Sequence, residues 1–413
     1  MTNIEFAKRL QPLQSNVFAD MDTAKAIALA AGQQLIDLSL GSSDLPAEPH
    51  VIEAIAQSVR DRTTHGYLLF NGTQGFRQAA ANWYEKKFGI RVDPQTEVLP
   101  LIGSQEGTAH LPLALLNPGD FALLLDPGYP SHAGGVYLAS GQIYPMPLRE
   151  ENGFLPVFAD IPAPVLDQSR MMVLSYPHNP TAAIAPLSFF QEAVAFCQQH
   201  NLALVHDFPY VDLVFTADGE SALATGDWRL ANKGESNAPC PVPSILQADP
   251  EKSVSIEFFT LSKSYNMGGF RIGYAIGNAQ LISALRQVKA VVDFNQYRGI
   301  LNGAIAALTG PQIGVKNAVA TFQQRRDAFI NALHRIGWNV PTPQATMYIW
   351  AKLPSAWSQN SIEFCTQLVK ETGVAASPGA GFGKSGEGYV RFALVHEPHL
   401  LETAVQRMAK FLN

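Results

Sequence analysis

A lysine set between two serines, just past an apolar run, is the side chain best placed for covalent chemistry: Phe258-Phe-Thr-Leu-Ser-Lys263-Ser-Tyr-Asn-Met-Gly-Gly-Phe-Arg271-Ile-Gly-Tyr274. A neutral lysine amine condenses with an aldehyde to a Schiff base, and burial beside other cations lowers the amine pKa enough to supply that form. Thr260, Ser262 and Arg271 surround it in sequence. Two hydroxyls and a guanidinium fork suit a phosphate, so the segment predicts capture of a phosphorylated aldehyde cofactor. A lysine between serines is by itself no more than a solvated charge.

Other candidates stand where apolar runs end. Gly103-Ser104-Gln105 opens a helical pattern; free N–H groups and the helix dipole make an anion site there, or simply a helix cap. Tyr129, in Asp126-Pro-Gly-Tyr129-Pro-Ser, offers an aromatic face to an electron-poor ring, or half-buried packing. Asn179 lies in Tyr176-Pro-His-Asn179-Pro-Thr181, which also reads as a plain Asn-Pro turn. Asp207 and Tyr210 close the run His206-Asp207-Phe-Pro-Tyr210, although a strand-end aspartate is also a common helix cap. Arg391, in Gly388-Tyr-Val-Arg391-Phe-Ala, suits bidentate capture of a carboxylate or a surface ion pair.

Taken together and in this order, these strings resemble the class I and II aminotransferases, pyridoxal-phosphate (PLP) enzymes of fold type I. The closest string is Ser262-Lys-x-Tyr-Asn-Met-x-Gly-x-Arg-Ile-Gly-Tyr274, and the resemblance runs from about Leu35 to Met408. The general character is similar to the bacterial aspartate and diaminopimelate-type members. The resemblance implies that Lys263 binds PLP and moves the substrate Cα proton, that Asp207 keeps the pyridine nitrogen protonated, and that Tyr210 and Asn179 meet the phenolic oxygen. It implies ring stacking by Tyr129 and a phosphate cradle from Gly103, Ser104, Gln105, Thr260, Ser262 and Arg271. Arg391 would clamp the substrate α-carboxylate, with Asn179 and the Gly41 backbone beside it.

Tyr67, with Gly72 following, resembles a tyrosine that reaches the phosphate of the neighbouring subunit, which implies a homodimer with composite sites. Arg298 lies where related enzymes meet the distal end of the substrate. Pointing inward it implies an acidic or diaminopimelate-type donor; pointing outward it is surface charge. Met347-Tyr348 and the stretch Ala217–Pro250 are further candidates for specificity. Two departures from the family pattern are Ala182, where Asn-Pro-Thr-Gly is usual, and Phe208 after the aspartate. The implied activity is amino transfer from an amino acid to a 2-oxo acid through PLP and pyridoxamine phosphate. A carbon–sulfur β-lyase or a decarboxylase on the same scaffold is the alternative. A PLP-binding transcriptional regulator is disfavoured, because no basic recognition helix precedes the first landmark.

Compact apolar runs without alternation read as strands covered on both faces: Val98–Ile102, Phe121–Leu125, Met171–Ser175, Leu202–His206 and Ser255–Thr260. Helical patterns lie between them, at Gln105–Leu116 and Leu187–His200. Alternation of this kind predicts an α/β fold, a mostly parallel sheet sandwiched by helices, with ligands at the carboxyl ends of the strands. The C-terminal third instead reads as a helix-rich region from Ala304 to Ile336, strands at Met347–Ala351 and Tyr389–Ala393, and a last helix. The expected division is a large cofactor domain over 48–300 and a smaller α+β domain from 1–47 with 301–413. The stretch Ala217–Pro250, rich in Gly, Ser and Pro, reads as a surface excursion.

With 413 residues, 47% of them hydrophobic and only 15% charged, the chain can bury a large core. A net charge of −6 gives no reason to bind nucleic acid or an anionic membrane. Cys197, Cys240 and Cys365 are scattered, with no CxxC pair, and no run is long enough to span a bilayer. A cytoplasmic protein is expected. Two look-alike motifs fail. Gly379-Ala-Gly-Phe-Gly-Lys-Ser385 has Pro378 where a P-loop requires glycine, and His396-Glu-Pro-His399 is too tight for a helical zinc pair. No metal site is expected.

Overall fold

Buried strands with branched and aromatic side chains on both faces need a layer on each side, and the computed structural model supplies them. It describes residues 4–13, 17–215 and 242–412. The strands are β1 (Ile36–Asp37), β2 (Val98–Leu101), β3 (Phe121–Asp126), β4 (Gln142–Pro147), β5 (Ser169–Leu174), β6 (Ala203–Asp207), β7 (Ser255–Thr260), β8 (Gly273–Gly277), β9 (Tyr348–Lys352), β10 (Val374–Ala375), β11 (Ser377–Pro378) and β12 (Tyr389–Ala393). A seven-stranded sheet has the order β2-β8-β7-β6-β5-β3-β4. Only β8 runs against the rest, pairing antiparallel with both β2 and β7. The five strand runs read from sequence all lie in this sheet.

Two core clusters sit on its opposite faces, and the two-residue period of the strands divides them. Leu123, Leu125, Met172 and Leu174 point to one side; Ala122, Leu124, Met171 and Val173 point to the other. Helices Gln74–Phe88 and Leu187–His200 bury residues in the first cluster, and helix Ser104–Leu115 buries Leu111 in the second. A third cluster unites the two ends of the chain: Met21, Ala24, Ile36 and Leu38 pack with Phe322, Phe329, Leu368, Phe392 and Met408. There β9, β11 and β12 form a small antiparallel sheet, while β1 pairs in parallel with β10. Tyr210 and Leu213 insert into this third cluster from the segment after β6.

Within the seven-stranded sheet, the two strands that sequence reading missed are β4 and β8. Edge strand β4 carries two prolines and is partly exposed, so it lacks the apolar signature. Strand β8, Gly-Tyr-Ala-Ile-Gly, is short and flanked by glycines. Its reversal nevertheless decides where Arg271 goes. Gly273 pairs with Thr260 on one side and Leu101 on the other, so the start of β8 lies at the carboxyl ends of its neighbours. The predicted helical region beyond Ala304 begins earlier, as helix Arg298–Thr309, and continues as helix Ile313–Arg335. Most of the stretch Ala217–Pro250 lies outside the described residues. Among the described residues, no helix is long and apolar enough to cross a membrane.

Candidate active site

The carboxyl ends of β3, β5, β6 and β7, with the turn after β2, open into a cavity of about 620 Å³. The chain ends close its other wall with Ser39, Gly41, Tyr348, Phe382 and Arg391. Of the residues singled out from sequence, Gly41, Ser104, Gln105, Tyr129, Asn179, Asp207, Tyr210, Thr260, Ser262, Lys263, Arg271 and Arg391 line this one cavity.

Lys263 sits on the short helix Leu261–Ser264, whose N-cap is Thr260; the Thr260 hydroxyl accepts from the Ser262 N–H at 3.2 Å and donates to Ser262 Oγ at 2.8 Å. The cap fixes the turn that projects the lysine inward. Lys263 Nζ donates to the Gly41 carbonyl at 2.5 Å and lies 5.9 Å from the centre of the Tyr210 ring. A Cβ on Gly41 would come within 1.9 Å of the Tyr348 hydroxyl, so any other residue there must displace that side chain. Tyr210 donates to Tyr348 Oη at 2.9 Å. Burial works against the Tyr348 phenolate, but Lys263 and Arg391 outweigh it and hold that phenol below its ordinary range. Tyr210 goes the other way, pushed up by burial and by Tyr348.

At the floor, Asp207 is buried, and its Oδ2 lies 3.1 Å from His132 Nε2. Its Oδ1 has no hydrogen-bond partner. A buried carboxylate oxygen without a donor is costly, and it suits a ligand that brings an N–H. Behind it, His206 faces the opposite side of the sheet and joins Glu257 at 2.9 Å. At the wall, Arg391 is buried; Nη1 donates to Asn179 Oδ1 at 2.9 Å and Nη2 to the Ser39 carbonyl at 2.7 Å. The guanidinium lies 4.3 Å from the centre of the Tyr348 ring and 4.6 Å from that of Phe382, and its Nε has no partner. Because the Asn179 oxygen is taken by Arg391, the amide leaves its NH₂ group as a donor.

The phosphate end is built at the N-terminus of helix Ser104–Leu115. Its cap, Gly103, has φ +77°, and a Cβ there would approach Arg271 Nη2 to 2.6 Å. Backbone and guanidinium are thereby in direct contact, with the Thr260 and Ser262 hydroxyls on the same wall. Cations, hydroxyls and a helix N-terminus meet at this end, a set matched to a phosphate dianion. The orphaned Asp207 oxygen, the aromatic Tyr129 and Lys263 complete the requirements of a phosphorylated pyridine aldehyde.

The chain matches the family model "Aminotransferase class I and II" over residues 33–408. The chain belongs to the class I and II aminotransferases. It is similar to an LL-diaminopimelate aminotransferase of Dehalococcoides mccartyi, with 41% identity over 99% of both chains. An LL-diaminopimelate aminotransferase of Moorella thermoacetica is 38% identical over 98% of both. Among solved structures, a probable N-succinyldiaminopimelate aminotransferase from Thermus thermophilus superposes with a TM-score of 0.86 at 39% identity, covering 95% of this chain and 99% of that one. The substrate-bound BacF structure from Bacillus subtilis gives 0.89 at 31%, covering 99% and 98%. The chain is therefore a PLP-dependent aminotransferase of fold type I.

Three predicted site residues do not line the cavity of their own chain: Gly103, which stands behind Arg271, and Tyr67 and Arg298. Tyr67 is 93% exposed. Arg298 is exposed at the start of its helix, with Nη2 3.5 Å from where a Cβ on Gly72 would sit. Sequence reading also missed His132, Ser39 and Phe382. His132 lies one turn beyond Tyr129, and a lone histidine on a mostly apolar helix gives no signal of its own. The look-alike P-loop forms two 3-10 turns and runs into β12, with no following helix.

Proposed function

We propose that this aminotransferase takes its amino group from a dicarboxylic amino acid of the diaminopimelate type. The observation that carries the reading is the joint placement of Lys263, Asp207 and Arg391 around one cavity, in a chain 41% identical along its length to an LL-diaminopimelate aminotransferase. Bound pyridoxal phosphate supplies an electron sink for the charge left on the substrate Cα. Asp207 Oδ1 would hold the proton of its ring nitrogen, with His132 fixing the other carboxylate oxygen. Tyr129 would cover the ring, and Tyr210 and the Asn179 amide would meet its phenolic oxygen. Gly103, Ser104, Gln105, Thr260, Ser262 and Arg271 would hold its phosphate.

The rest is done by this chain's own groups. Arg391 grips the α-carboxylate with Nε and Nη, and that grip turns the Cα–H bond toward Lys263. The Lys263 amine removes the proton at Cα, and the Gly41 carbonyl steadies Nζ as it becomes an ammonium. The walls formed by Tyr348 and Phe382 exclude water from the exchange.

Two further assignments belong with this reading. The first is a homodimer: Tyr67 and Leu69, 93% and 64% exposed, offer an aromatic and an apolar side chain to a second copy, which would take Tyr67 to its phosphate site. The second is a cytoplasmic location, supported by Cys197 and Cys365, both buried and unpaired. The test is to incubate the PLP-loaded protein with LL-diaminopimelate and a 2-oxo acid. Appearance of the amino acid derived from that acceptor is expected. Release of ammonia or a thiol from other donors, without amino transfer, would overturn the reading in favour of a lyase.

A further inference from the structure

Four cations line the cavity among the described residues: Lys25, Lys263, Arg271 and Arg391. Three of them already have work in the reading given above. Lys263 meets the Gly41 carbonyl at the reacting centre, Arg271 meets the Gly103 turn, and Arg391 lies between Asn179 and Ser39. Lys25 has none. It projects from helix Val17–Ala30, which is seated by buried Met21, Ala24 and Ala28 at helical spacing. Its side chain is only 17% exposed, and Nζ lies 3.0 Å from Asp37 Oδ2 and 3.3 Å from Asp22 Oδ1.

A hydrogen-bonded chain joins this cation to the α-carboxylate clamp. Asp37 Oδ1 accepts from the Ser39 N–H at 2.8 Å and from Ser39 Oγ at 2.6 Å, and the Ser39 carbonyl accepts from Arg391 at 2.7 Å. Two cations, Lys25 and Arg391, thus stand on one wall, held apart by Ser39 and Asp37. The two carboxylates on Lys25 are unequal. Asp37 is 33% exposed and tied down by Ser39, whereas Asp22 is 77% exposed and, among the described residues, held by Lys25 alone. An exposed pair of that kind is weak and exchanges readily.

Resting on the diaminopimelate reading, we propose that Lys25 and Asp22 form the subsite for the far end of the substrate, Lys25 taking its distal carboxylate and Asp22 its distal ammonium. Binding exchanges partners within the triad. Lys25 keeps Asp37 and trades Asp22 for the substrate carboxylate, and the released Asp22 meets the ammonium. Charge is conserved in the exchange, so a zwitterionic terminus fits better than a bare carboxylate or a bare amine. Arg298 lies outside the cavity of its own chain and is not part of this subsite.

The experiment compares kcat/KM of the PLP-loaded wild type, Lys25→Met, Lys25→Arg and Asp22→Asn for LL-diaminopimelate, 2-aminopimelate (the same chain without the distal amine) and alanine. Loss of one charge-assisted contact should lower the diaminopimelate-to-alanine ratio about 10- to 100-fold in Lys25→Met. Lys25→Arg should keep most of that ratio. Asp22→Asn should lower diaminopimelate relative to 2-aminopimelate by about 2- to 5-fold, as suits an exposed pair. The Ki of pimelate, which cannot react, should rise in Lys25→Met alongside. A wild type active on diaminopimelate whose ratio to alanine survives Lys25→Met would overturn this subsite alone. A wild type that transfers from alanine but not from diaminopimelate would overturn the substrate reading, and the subsite with it.

Discussion

Replacing Arg391 with alanine is the sharpest probe of how this site selects amino acids at all. The guanidinium is buried and already carries three internal bonds, from Nη1 to Asn179 and from Nη2 to the Ser39 carbonyl and Ser377 Oγ, which preorganise it before substrate arrives. Its Nε–H, buried without a partner, is the donor left for an incoming carboxylate, together with the fork's remaining N–H. Two charge-assisted bonds of about 1.5–3 kcal/mol each give a loss of about 3–6 kcal/mol in transition-state binding. That is roughly 10²- to 10⁴-fold in kcat/KM. Because every amino acid has an α-carboxylate, the factor should be similar for diaminopimelate, aspartate and alanine. Arg391→Lys should fall between, since it keeps the charge and loses the fork. The assay is kcat/KM for the three donors, with cofactor content checked by absorbance. A loss below about 10-fold, or one confined to a single donor, would refute the assignment of Arg391 to the α-carboxylate.

Four other outcomes are expected. Lys263→Ala should abolish transamination together with the visible absorbance of the bound cofactor, and full activity in that variant would remove the lysine from the mechanism. Gly41→Ala must push the Tyr348 hydroxyl away from 1.9 Å; it should cost about 1–3 kcal/mol by thermal denaturation, and Tyr348→Phe in the same chain should restore part of the loss. Glu257 accepts from Tyr84, Ser244, the Ile245 N–H and His206 in the dry layer behind Asp207. Glu257→Ala should therefore destabilise by about 3–5 kcal/mol in urea, and a cost under about 1 would show the network to be slack. Asp249 is buried, which raises its pKa, but the N–H groups of Val254 and Ser253 outweigh that and hold the carboxyl below 3.8. The unfolded chain then binds the extra proton, so this stability is full above about pH 4 and fades as pH falls through the folded value. Asp249→Asn should flatten the acid side of the stability–pH curve, and an unchanged slope there would contradict it.

What sequence reveals here follows from where the information is stored. Parallel strands such as Phe121–Asp126 and Ser255–Thr260 are apolar on both faces, so composition alone marks them. The strings proposed to hold the cofactor stand out equally in the sequence, and the fold brings Asp207 and Lys263 from them to one cavity. Edge strand β4 escapes because an edge tolerates Pro145 and Pro147 and partial exposure. His132 and Ser39 escape for another reason. Each acts through a partner distant in sequence, Asp207 for one and Arg391 for the other, and no local pattern records such a pairing. Arg298 shows the converse. Its position in the sequence offers a substrate contact or a surface charge, and helix Arg298–Thr309 sets it on an exposed edge beside Gly72, outside the cavity of its own chain.

The two orphaned buried atoms explain why so polar a cavity is stable enough to wait for its ligands. Asp207 Oδ1 and Arg391 Nε carry opposite charge at opposite ends of the site, and each is unsatisfied only in part. His132 satisfies the other aspartate oxygen, while Asn179, Ser39 and Ser377 hold the two Nη atoms of the guanidinium. Leaving one lobe of a charged group unpaired costs about 1–3 kcal/mol, far less than burying the whole group bare. That partial cost is returned when a ligand arrives with an N–H at one end and a carboxylate at the other. The same logic sets the limit on substitution: a neighbour that satisfied either lobe permanently would stabilise the fold and weaken binding together. His132, Asn179 and Ser39 thus hold these charges in place while Asp207 Oδ1 and Arg391 Nε stay open to a ligand.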